Sequence, residues 1–306
     1  MSAVNNIIYQ SVVYLAPVLL CVLGGIFAYK ANVLNIALEG MMMAGAFVSM
    51  LIANLTGSVP AGYLSAFAAC LLLGLVFSLM GVTLKGNVIV IGLAINMLVP
   101  ATAGFIMKIM SVPSITLQGF STNSIVLNIP GVEHIPVLGP ILSGHPPITY
   151  VAYLMIAVMS VLMYRTRFGV HVRVVGENED TAISLGLKTD LYKIAAILIG
   201  AGCCALAGIN LALERLSLYT NNMTAGRGFI AIAAIYCGRG RPLPCALYAV
   251  LFSLANALAE YFSLQVSASL LLKVVPYAHG RVHRQPAQGA RARRVRGELT
   301  KGERFI

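Results

Sequence analysis

The chain has 306 residues, of which 58% are hydrophobic and only 10% are charged, and its mean hydropathy is +0.85. Soluble domains carry about 25% charged residues, so this chain has too few charges to cover a water-facing surface and belongs in a bilayer. The same composition excludes collagen, disordered tails and small disulfide-linked secreted domains.

The net charge of +11 is unevenly distributed along the chain. Residues 279–306 carry eight Lys or Arg and two Glu, a net charge of +6, and the remaining +5 is spread through short loops. Scattered loop charges of this kind are typical of membrane orientation. We therefore expect no nucleic-acid partner.

Seven segments are long enough to cross a bilayer as helices, because about 20 apolar residues span its hydrocarbon core. They are 10–29, 36–56, 60–82, 87–107, 147–164, 193–213 and 243–261. A shorter apolar piece, 228–237, would cross only half of the bilayer, and 262–278 is apolar but carries Lys273. The sequence predicts an all-α polytopic membrane protein of about eight to ten segments, including discontinuous half-helices, with 1–278 as a single domain.

The loop charges predict the orientation of these segments. Lys30, Lys85 and the basic loop 165–193 follow alternate spans, whereas the opposite ends hold almost no Lys or Arg. Since cytoplasmic loops are enriched in Lys and Arg, we expect the N-terminus to lie outside the cell. The agreement weakens further along the chain, where Arg215 and Arg227 fall on the outer side.

The two longest loops lie on opposite sides in this arrangement. The external loop 108–146 is rich in Ser, Pro, Gly and Asn, contains strand-like pieces such as 124–129, and would either cap the outer mouth or act as a linker. The cytoplasmic loop 165–193 contains 179–187, which predicts a short helix with an acidic start. A helix outside the membrane indicates docking of a partner, and a solvated connector is the alternative.

Small side chains recur at every fourth position of 193–213, at Ala196, Gly200, Cys204 and Gly208. Small residues let helices approach closely in a membrane, so we predict close packing around this helix. The six Cys of the chain all lie in apolar runs without a CxxC pair, which favours packing for them as well.

Polar side chains within the spans are candidates for a transport pathway, because they are costly in a bilayer. Asn96 lies midway through the fourth span shortly before a proline, and Asn210, Asn256 and the run 220–224 are further candidates. Interhelical hydrogen bonding is the alternative for each. Glu39 lies about one turn inside the inner end of its span, where it could reach the interface, so we predict no carboxylate at the midplane.

Motifs for enzymatic chemistry are absent from the sequence. It contains no GxxxxGK[ST] phosphate loop, no HExxH and no GxSxG. The five His lie outside the predicted spans, without a ligand partner. We therefore expect no catalytic residues and no metal site, and a membrane enzyme is disfavoured.

Three stretches carry a resemblance to a known family. They are VLNIALEGMMMAGAF at 33–47, VRVVGENEDTAISLG at 172–186 and AGRGFIAIAA at 225–234. In this order they resemble permease subunits of ABC importers of the ribose/branched-chain amino-acid class. Within that class the chain is most similar to the nucleoside and simple-sugar branch, whose members work with basic-membrane-protein-type binding lipoproteins. The resemblance covers about residues 10–278.

The resemblance implies an ATP-driven importer in a bacterial inner membrane that passes a nucleoside or simple sugar from the binding lipoprotein. ATP and Mg²⁺ would be held by a separate cytoplasmic ATP-binding subunit, and a second permease subunit, expected to be a related chain, would complete the pathway. An ion-coupled secondary transporter of a small polar solute is the alternative, and it would need a midplane carboxylate.

The resemblance also implies site residues. The loop 172–186 matches the helix that docks on the ATPase, with coupling residues Gly176, Glu177, Asn178, Asp180, Ala182 and Gly186. For the substrate pathway the expected residues are Asn96, Asn210, Asn221, Asn222, Gly226 and Gly228.

The C-terminal region departs from the family. After Ala278 the family continues into another apolar helix, whereas this chain has a basic stretch that cannot span a membrane. Residues 300–304 again resemble the family's terminal tail, so we hypothesise a reading-frame shift near codon 278 that is restored around codon 297. The alternative is an authentic basic tail at 279–306 that contacts anionic membrane lipid.

Overall fold

The computed structural model describes residues 3–117, 126–127 and 138–282, with side chains to position 263. The described residues up to 257 form one compact unit, to which the packing below belongs, and those from 258 onwards belong to a second unit. The hypotheses on the tail 279–306 concern side chains outside the described residues, as do most of the strand-like residues 124–129.

Helices make up nearly all of the described secondary structure. They are α1 (Ala3–Lys30), α2 (Leu38–Thr56), α3 (Val59–Ser78), α4 (Val88–Ile109), α5 (Leu138–Leu142), α6 (Pro147–Arg165), α7 (Arg167–Glu177), α8 (Glu179–Ser184), α9 (Thr189–Ile209), α10 (Arg227–Cys237) and α11 (Pro242–Val282). π-Helical turns extend α3 through Leu79–Thr83 and α9 through Asn210–Leu216. Two short antiparallel strands, β1 (Ile115–Thr116) and β2 (Leu218–Tyr219), pair with each other.

Seven helices in the described residues are long and apolar enough to cross a membrane. They are Val4–Lys30, Leu38–Thr56, Val59–Thr83, Val88–Ile109, Pro147–Arg165, Thr189–Leu216 and Pro242–Ser263. Each corresponds to one of the seven predicted spans, and the sixth is longer at both ends than the sequence indicated. The chain is therefore an all-α, multi-pass membrane protein, as predicted.

The small residues of α9 allow it to pack at the centre of the bundle, in contact with α1, α2 and α3. A Cβ added to Gly24 of α1 would lie 2.5 Å from the Cβ of Cys203, and one added to Gly208 would overlap the carbonyl oxygen of Met42 in α2. Such close approach maximises dispersion contacts where lipid removes the hydrophobic drive between helices. The predicted close packing is confirmed.

The loop 165–193 contains more helix than the sequence indicated. The Thr166 hydroxyl accepts a hydrogen bond from the N–H of Gly169 and caps α7, which buries Val172 and Val175. The predicted helix at 179–187 is present as the shorter α8. It ends before Gly186 because that residue has a left-handed backbone with φ of +77°, which a glycine adopts without strain.

The chain re-enters the bundle between α9 and α11. After β2 it forms a run of turns at 221–226, followed by α10. Gly228 at the start of α10 meets the backbone of Glu39, and Gly240 beyond its end meets the Tyr29 ring and the Lys30 side chain at the end of α1. The 11-residue α10 therefore covers only the half of the bundle nearest Lys30, which confirms the predicted half-helix.

Two glycines of α9 provide a test of this packing. Gly208→Ala should lower the melting temperature and the yield of folded protein, with a destabilisation of about 1–3 kcal/mol, because the backbone of α2 cannot move aside. Gly202→Ala on the same helix is the control, since the nearest atom to its added Cβ is 4.0 Å away. Thermal unfolding can be followed with a thiol-reactive dye, because five of the six free cysteines are buried and become accessible on unfolding, whereas the exposed Cys237 gives a constant background. Equal melting temperatures for the two variants would contradict the central position of α9.

Candidate functional site

The start of the half-helix is held by a buried carboxylate. Glu39, in the first turn of α2, is only 7% exposed. Its Oε1 accepts hydrogen bonds from the Thr224 hydroxyl at 2.6 Å and from the N–H of Gly226 at 2.9 Å, and its Oε2 accepts one from the N–H of Gly228 at 2.5 Å. The first N–H groups of a helix have no partner within the helix and carry partial positive charge. Glu39 therefore caps α10 from a different helix.

Glu39 lies in the interior of the bundle. The expectation that its side chain reaches the membrane interface was therefore wrong. The neighbouring Gly40 donates its N–H to Oδ1 of Asn96 at 2.7 Å, and Nδ2 of Asn96 donates to the carbonyl of Ile36 at 2.9 Å. Since Asn96 lies in the middle part of α4, α2 begins well inside the bundle. The segment 31–37 folds back between the helices before α2 starts, which the hydropathy pattern did not reveal.

The turn before α10 presents uncharged amides at the surface of the bundle. Asn221 and Asn222 are both exposed, and the amide nitrogen of Asn221 lies beside Gly104 near the C-terminal end of α4. The backbone of Asn222 is left-handed, with φ of 61°, a conformation that asparagine tolerates better than most residues. The two amides therefore project from a tightly folded turn at the depth of a transmembrane helix.

Arg227, the first residue of α10, carries a positive charge at this turn. Its Nη1 donates to the carbonyl of Met223 at 2.9 Å and to that of Thr224 at 3.3 Å, and its guanidinium lies over the Tyr14 ring at 4.9 Å from the centroid. Carbonyl oxygens and an aromatic face both stabilise a partly buried cation. The re-entrant turn thus contains one anion and one cation, both engaged by groups of this chain.

A second polar cluster lies in the π-helical turn at the end of α9. Glu214, 1% exposed, accepts hydrogen bonds from the Tyr63 hydroxyl at 2.6 Å, from Nδ2 of Asn210 at 3.0 Å and from the N–H of Ile148 at 3.3 Å. It thereby joins α9 to α3 and α6. The predicted span 193–213 ended one residue before Glu214, which was therefore not among the predicted polar residues. The spacing of Asn210 and Glu214, four residues apart and so on one helical face, was the available signal.

Asn210 and Arg215 extend this cluster towards α6. The side chain of Asn210 is fully buried, and Nη2 of Arg215 donates to the Thr149 hydroxyl at 3.2 Å. Within the described residues, Oδ1 of Asn210 has no hydrogen-bond partner. The bundle therefore contains two buried carboxylates that the sequence analysis did not predict, but each already accepts three hydrogen bonds from this chain. Neither matches the free midplane carboxylate that an ion-coupled transporter would need.

His145 closes the end of the bundle next to this cluster. Its ring stacks on Tyr9 with centroids 4.9 Å apart, and its Nε2 lies 2.8 Å from the carbonyl of Pro140 and so carries the proton. Burial lowers the pKa of His145 to about 4; the bond to Pro140 opposes this shift, and the nearby Arg215 charge adds to it. The imidazole is therefore neutral near pH 7.

The residues assigned to coupling lie at the opposite end of the bundle, which carries Lys30. A Cβ on Gly176 would overlap the Lys30 carbonyl, so Gly176 fits α7 against the end of α1. The Asn178 side chain accepts a hydrogen bond from the N–H of Thr181 at 3.0 Å and caps α8, and Ala182 is buried. These residues, with Gly186, shape and position α8.

The remaining surface of α8 faces solvent. Glu177 and Asp180 are exposed, and two apolar side chains beside them are also exposed, Ile183 by 56% and Leu185 by 68%. An ion pair of 2.6 Å between Glu179 and Lys193 ties α8 to α9, and this hydrogen bond lowers the pKa of Glu179. A rigidly held helix with exposed apolar side chains outside the membrane-spanning helices is suited to contact with another protein.

The buried His145 predicts a pH-dependent stability. The folded protein keeps this ring neutral down to about pH 4, whereas the unfolded chain takes up the proton near pH 6.5. The unfolded state therefore binds more protons as the pH falls, so this contribution is complete above about pH 7 and is lost between 6.5 and 4. We expect a loss of about 2 kcal/mol between pH 7 and pH 5, measured by thermal unfolding in detergent. His145→Phe retains the stacking and should remove this part of the pH dependence; an unchanged profile would contradict the assignment.

Comparison with known proteins gives the family. Residues 7–278 match the permease component of branched-chain amino acid transport systems. The nucleoside ABC transporter permease protein NupC of Lactococcus lactis subsp. cremoris is 28% identical over 90% of this chain and 91% of its own length. The guanosine ABC transporter permease protein NupQ of Bacillus subtilis is 31% identical over 84% of this chain and 83% of its own. No solved structure gave a significant match.

Permeases of this family work with an ATP-binding subunit and a substrate-binding partner. The family match covers most of the chain. The seven membrane-spanning helices and the re-entrant half-helix are consistent with a permease. The chain therefore belongs to the family of permease components of branched-chain amino acid transport systems, and it is a transport subunit of an ABC importer rather than an enzyme.

Proposed function

We propose that this permease passes an uncharged nucleoside, or a simple sugar as the second candidate, into the cell, and that a cytoplasmic ATP-binding subunit docks on α8. The observation that carries the docking proposal is the surface of α8. Ile183 of α8 and Leu185 directly after it are exposed, and so are the carboxylates of Asp180 in α8 and of Glu177 at the end of α7. ATP and Mg²⁺ would be bound by that partner, and this chain would transmit its movement through α7 and α9.

The substrate class is supported by the relatives and by the polar turn. Two similar proteins are named for nucleoside and guanosine transport. The exposed groups of the turn before α10 include the amides of Asn221 and Asn222, which can hydrogen-bond to hydroxyl and base edges. We propose that these two residues line the pathway. In this proposal Asn96, Asn210, Gly226 and Gly228 position the surrounding helices, since each bonds to groups of this chain.

A second permease chain would cover the surface that carries these amides. Exposed asparagines at membrane depth are costly against lipid but not against a polar pathway. The pathway would then run between two permeases, and we expect the second to be a related but different chain.

The charges at the end of the bundle that carries α8 support a proposed orientation of the chain. Lys30 lies at this end, and the return of the chain through α10 brings Arg239 and Arg241 there as well. Basic residues favour the cytoplasm, so we propose that α8 is cytoplasmic and the N-terminus is outside a bacterial inner membrane. The weaker pattern around Arg215 and Arg227 then has a structural reason, because both side chains are held by groups within the bundle. A binding lipoprotein would dock at the end that carries His145.

Charge reversal on α8 tests the docking proposal. Glu177→Lys combined with Asp180→Lys should abolish uptake of radiolabelled guanosine while the chain still inserts normally, because both side chains are exposed outside the membrane-spanning helices. Asp190→Lys, an exposed charge reversal in the first turn of α9, is the control and should retain most of the uptake. Uptake at the wild-type rate in the double variant would remove the coupling role of α8.

Co-purification and vanadate test the importer proposal as a whole. Gentle extraction of the tagged chain from native membranes should recover an ATP-binding subunit and a second permease. Vanadate, which arrests ATP hydrolysis, should stop uptake of guanosine or of a simple sugar, whereas dissipation of ion gradients with ATP maintained should not. Uptake that survives vanadate and ceases without a gradient would instead support an ion-coupled transporter.

A further inference from the structure

The N-terminus of a half-helix inside a membrane protein is a favourable place for an anion. Its free N–H groups and the positive end of its dipole point to one spot, and transporters with broken helices use such ends for anionic groups of their substrates. In this chain the spot at the start of α10 is filled by Glu39, which approaches from α2. The occupant is therefore a side chain of the permease.

Three hydrogen-bond donors converge on the two carboxyl oxygens of Glu39. Thr224 and Gly226 both direct hydrogens at Oε1, and Gly228 directs its N–H at Oε2. Backbone N–H groups can only donate, so a proton on Oε2 would face the N–H of Gly228. A carboxylate accepts all three hydrogen bonds, and such bonds are stronger when the acceptor is charged.

The close approach of the two segments leaves little freedom at this site. A Cβ on Gly228 would lie 2.5 Å from the Cα of Glu39, so only glycine lets the first turn of α10 reach the carboxylate. The remaining charge at the turn is Arg227, which is held by the carbonyls of Met223 and Thr224 and by the Tyr14 ring. Removal of Glu39 would leave the positive end of the helix dipole without the carboxylate that faces it.

We propose that Glu39 is a specificity-determining residue, which permanently occupies the anion site of the half-helix so that the pathway admits solutes without negative charge. A passing solute then meets the neutral amides of Asn221 and Asn222 and finds no free anion site beside them. Glu39 acts through the backbone of the turn and is a positioning residue in this role. The inference rests on the proposed pathway for its consequence to the solute, but the anion site itself is a property of this chain alone.

Chemical rescue tests the anion site on the full-length chain. Glu39→Ala leaves a carboxylate-sized space lined by the Thr224 hydroxyl and two N–H groups, so its melting temperature should fall below that of the wild type. Formate, a carboxylate small enough to enter this space, should raise it again by about 2–5 °C in a saturable way, since a ligand that binds the folded state stabilises it. Formamide, which has nearly the same shape without the charge, should have little effect, and formate should not affect the wild type.

Two further measurements test whether the charge of Glu39 matters at this site. If Glu39→Ala accumulates poorly, the same comparison is made on the yield of folded protein from cells grown with formate or with formamide. Glu39→Gln retains the side-chain shape but turns an amide donor towards Thr224 and Gly226 or towards Gly228, so it should melt below the wild type. Equal effects of formate and formamide on Glu39→Ala, or a wild-type melting temperature for Glu39→Gln, would overturn the charged role of Glu39.

Guanosine uptake by the Glu39→Ala variant tests whether the anion site affects transport. In the assembled transporter, formate should increase guanosine uptake by Glu39→Ala at least severalfold, through the maximal rate or the apparent KM, and formamide should not. Stability that is rescued without any recovery of uptake would overturn the specificity role and leave a structural cap. If the wild type takes up neither guanosine nor a simple sugar, the proposed function fails, whereas the melting experiment, which needs no partner and no substrate, still decides the anion site.

Discussion

The re-entrant segment of this permease depends on the three hydrogen bonds that Glu39 accepts. A chain that turns back at membrane depth exposes N–H groups that lipid cannot satisfy, and each unsatisfied group costs several kcal/mol. Glu39 supplies acceptors for Gly226, Gly228 and the Thr224 hydroxyl from a separate helix. Asn96 holds the start of α2 in position through its hydrogen bonds with Gly40 and Ile36, and Glu39 can then reach the turn. The turn that carries Asn221 and Asn222 is thus held by two linked polar contacts.

Close helix packing makes this arrangement possible. Because α9 is lined by small residues, α1, α2 and α3 approach it nearly to backbone contact, and the polar groups between helices are brought within hydrogen-bond distance. Buried polar networks stabilise one arrangement only when their members are satisfied. Glu39 and Glu214 both meet this condition, with three donors each. Both carboxylates thereby contribute to the shape of the bundle.

The two ends of the bundle have different chemistry. The end with His145 is closed by stacked rings and by hydrogen bonds to backbone carbonyls, which hold the first residues of α1 against the start of α6. The end with Lys30 presents α8, where Asn178 and Gly186 define the limits of the helix and Ile183 and Leu185 remain exposed. One end is therefore built from internally satisfied contacts and the other offers a surface for a partner, as a permease between a binding protein and an ATPase would need.

Hydropathy and motif order alone determined the membrane class, the seven spans, the half-helix and the resemblance to a permease. These features depend on local composition, because roughly 20 apolar residues in succession have few alternatives to a transmembrane helix. The amphipathic α7 was not predicted, because its mixed polar and apolar composition is also typical of a loop. It is stabilised by the burial of Val172 and Val175 in the folded protein.

The tertiary structure alone decided the roles of the polar residues. A glutamate near a predicted span end can face the interface or the interior, and the choice for Glu39 depends on donors 185 or more residues away. Likewise Asn96 and Asn210 could have faced a pathway or another helix, and only the packing shows which groups they contact. Hydrogen bonds between distant segments leave no periodic signal in a single sequence, because each partner is specified by the fold rather than by its neighbours in the chain.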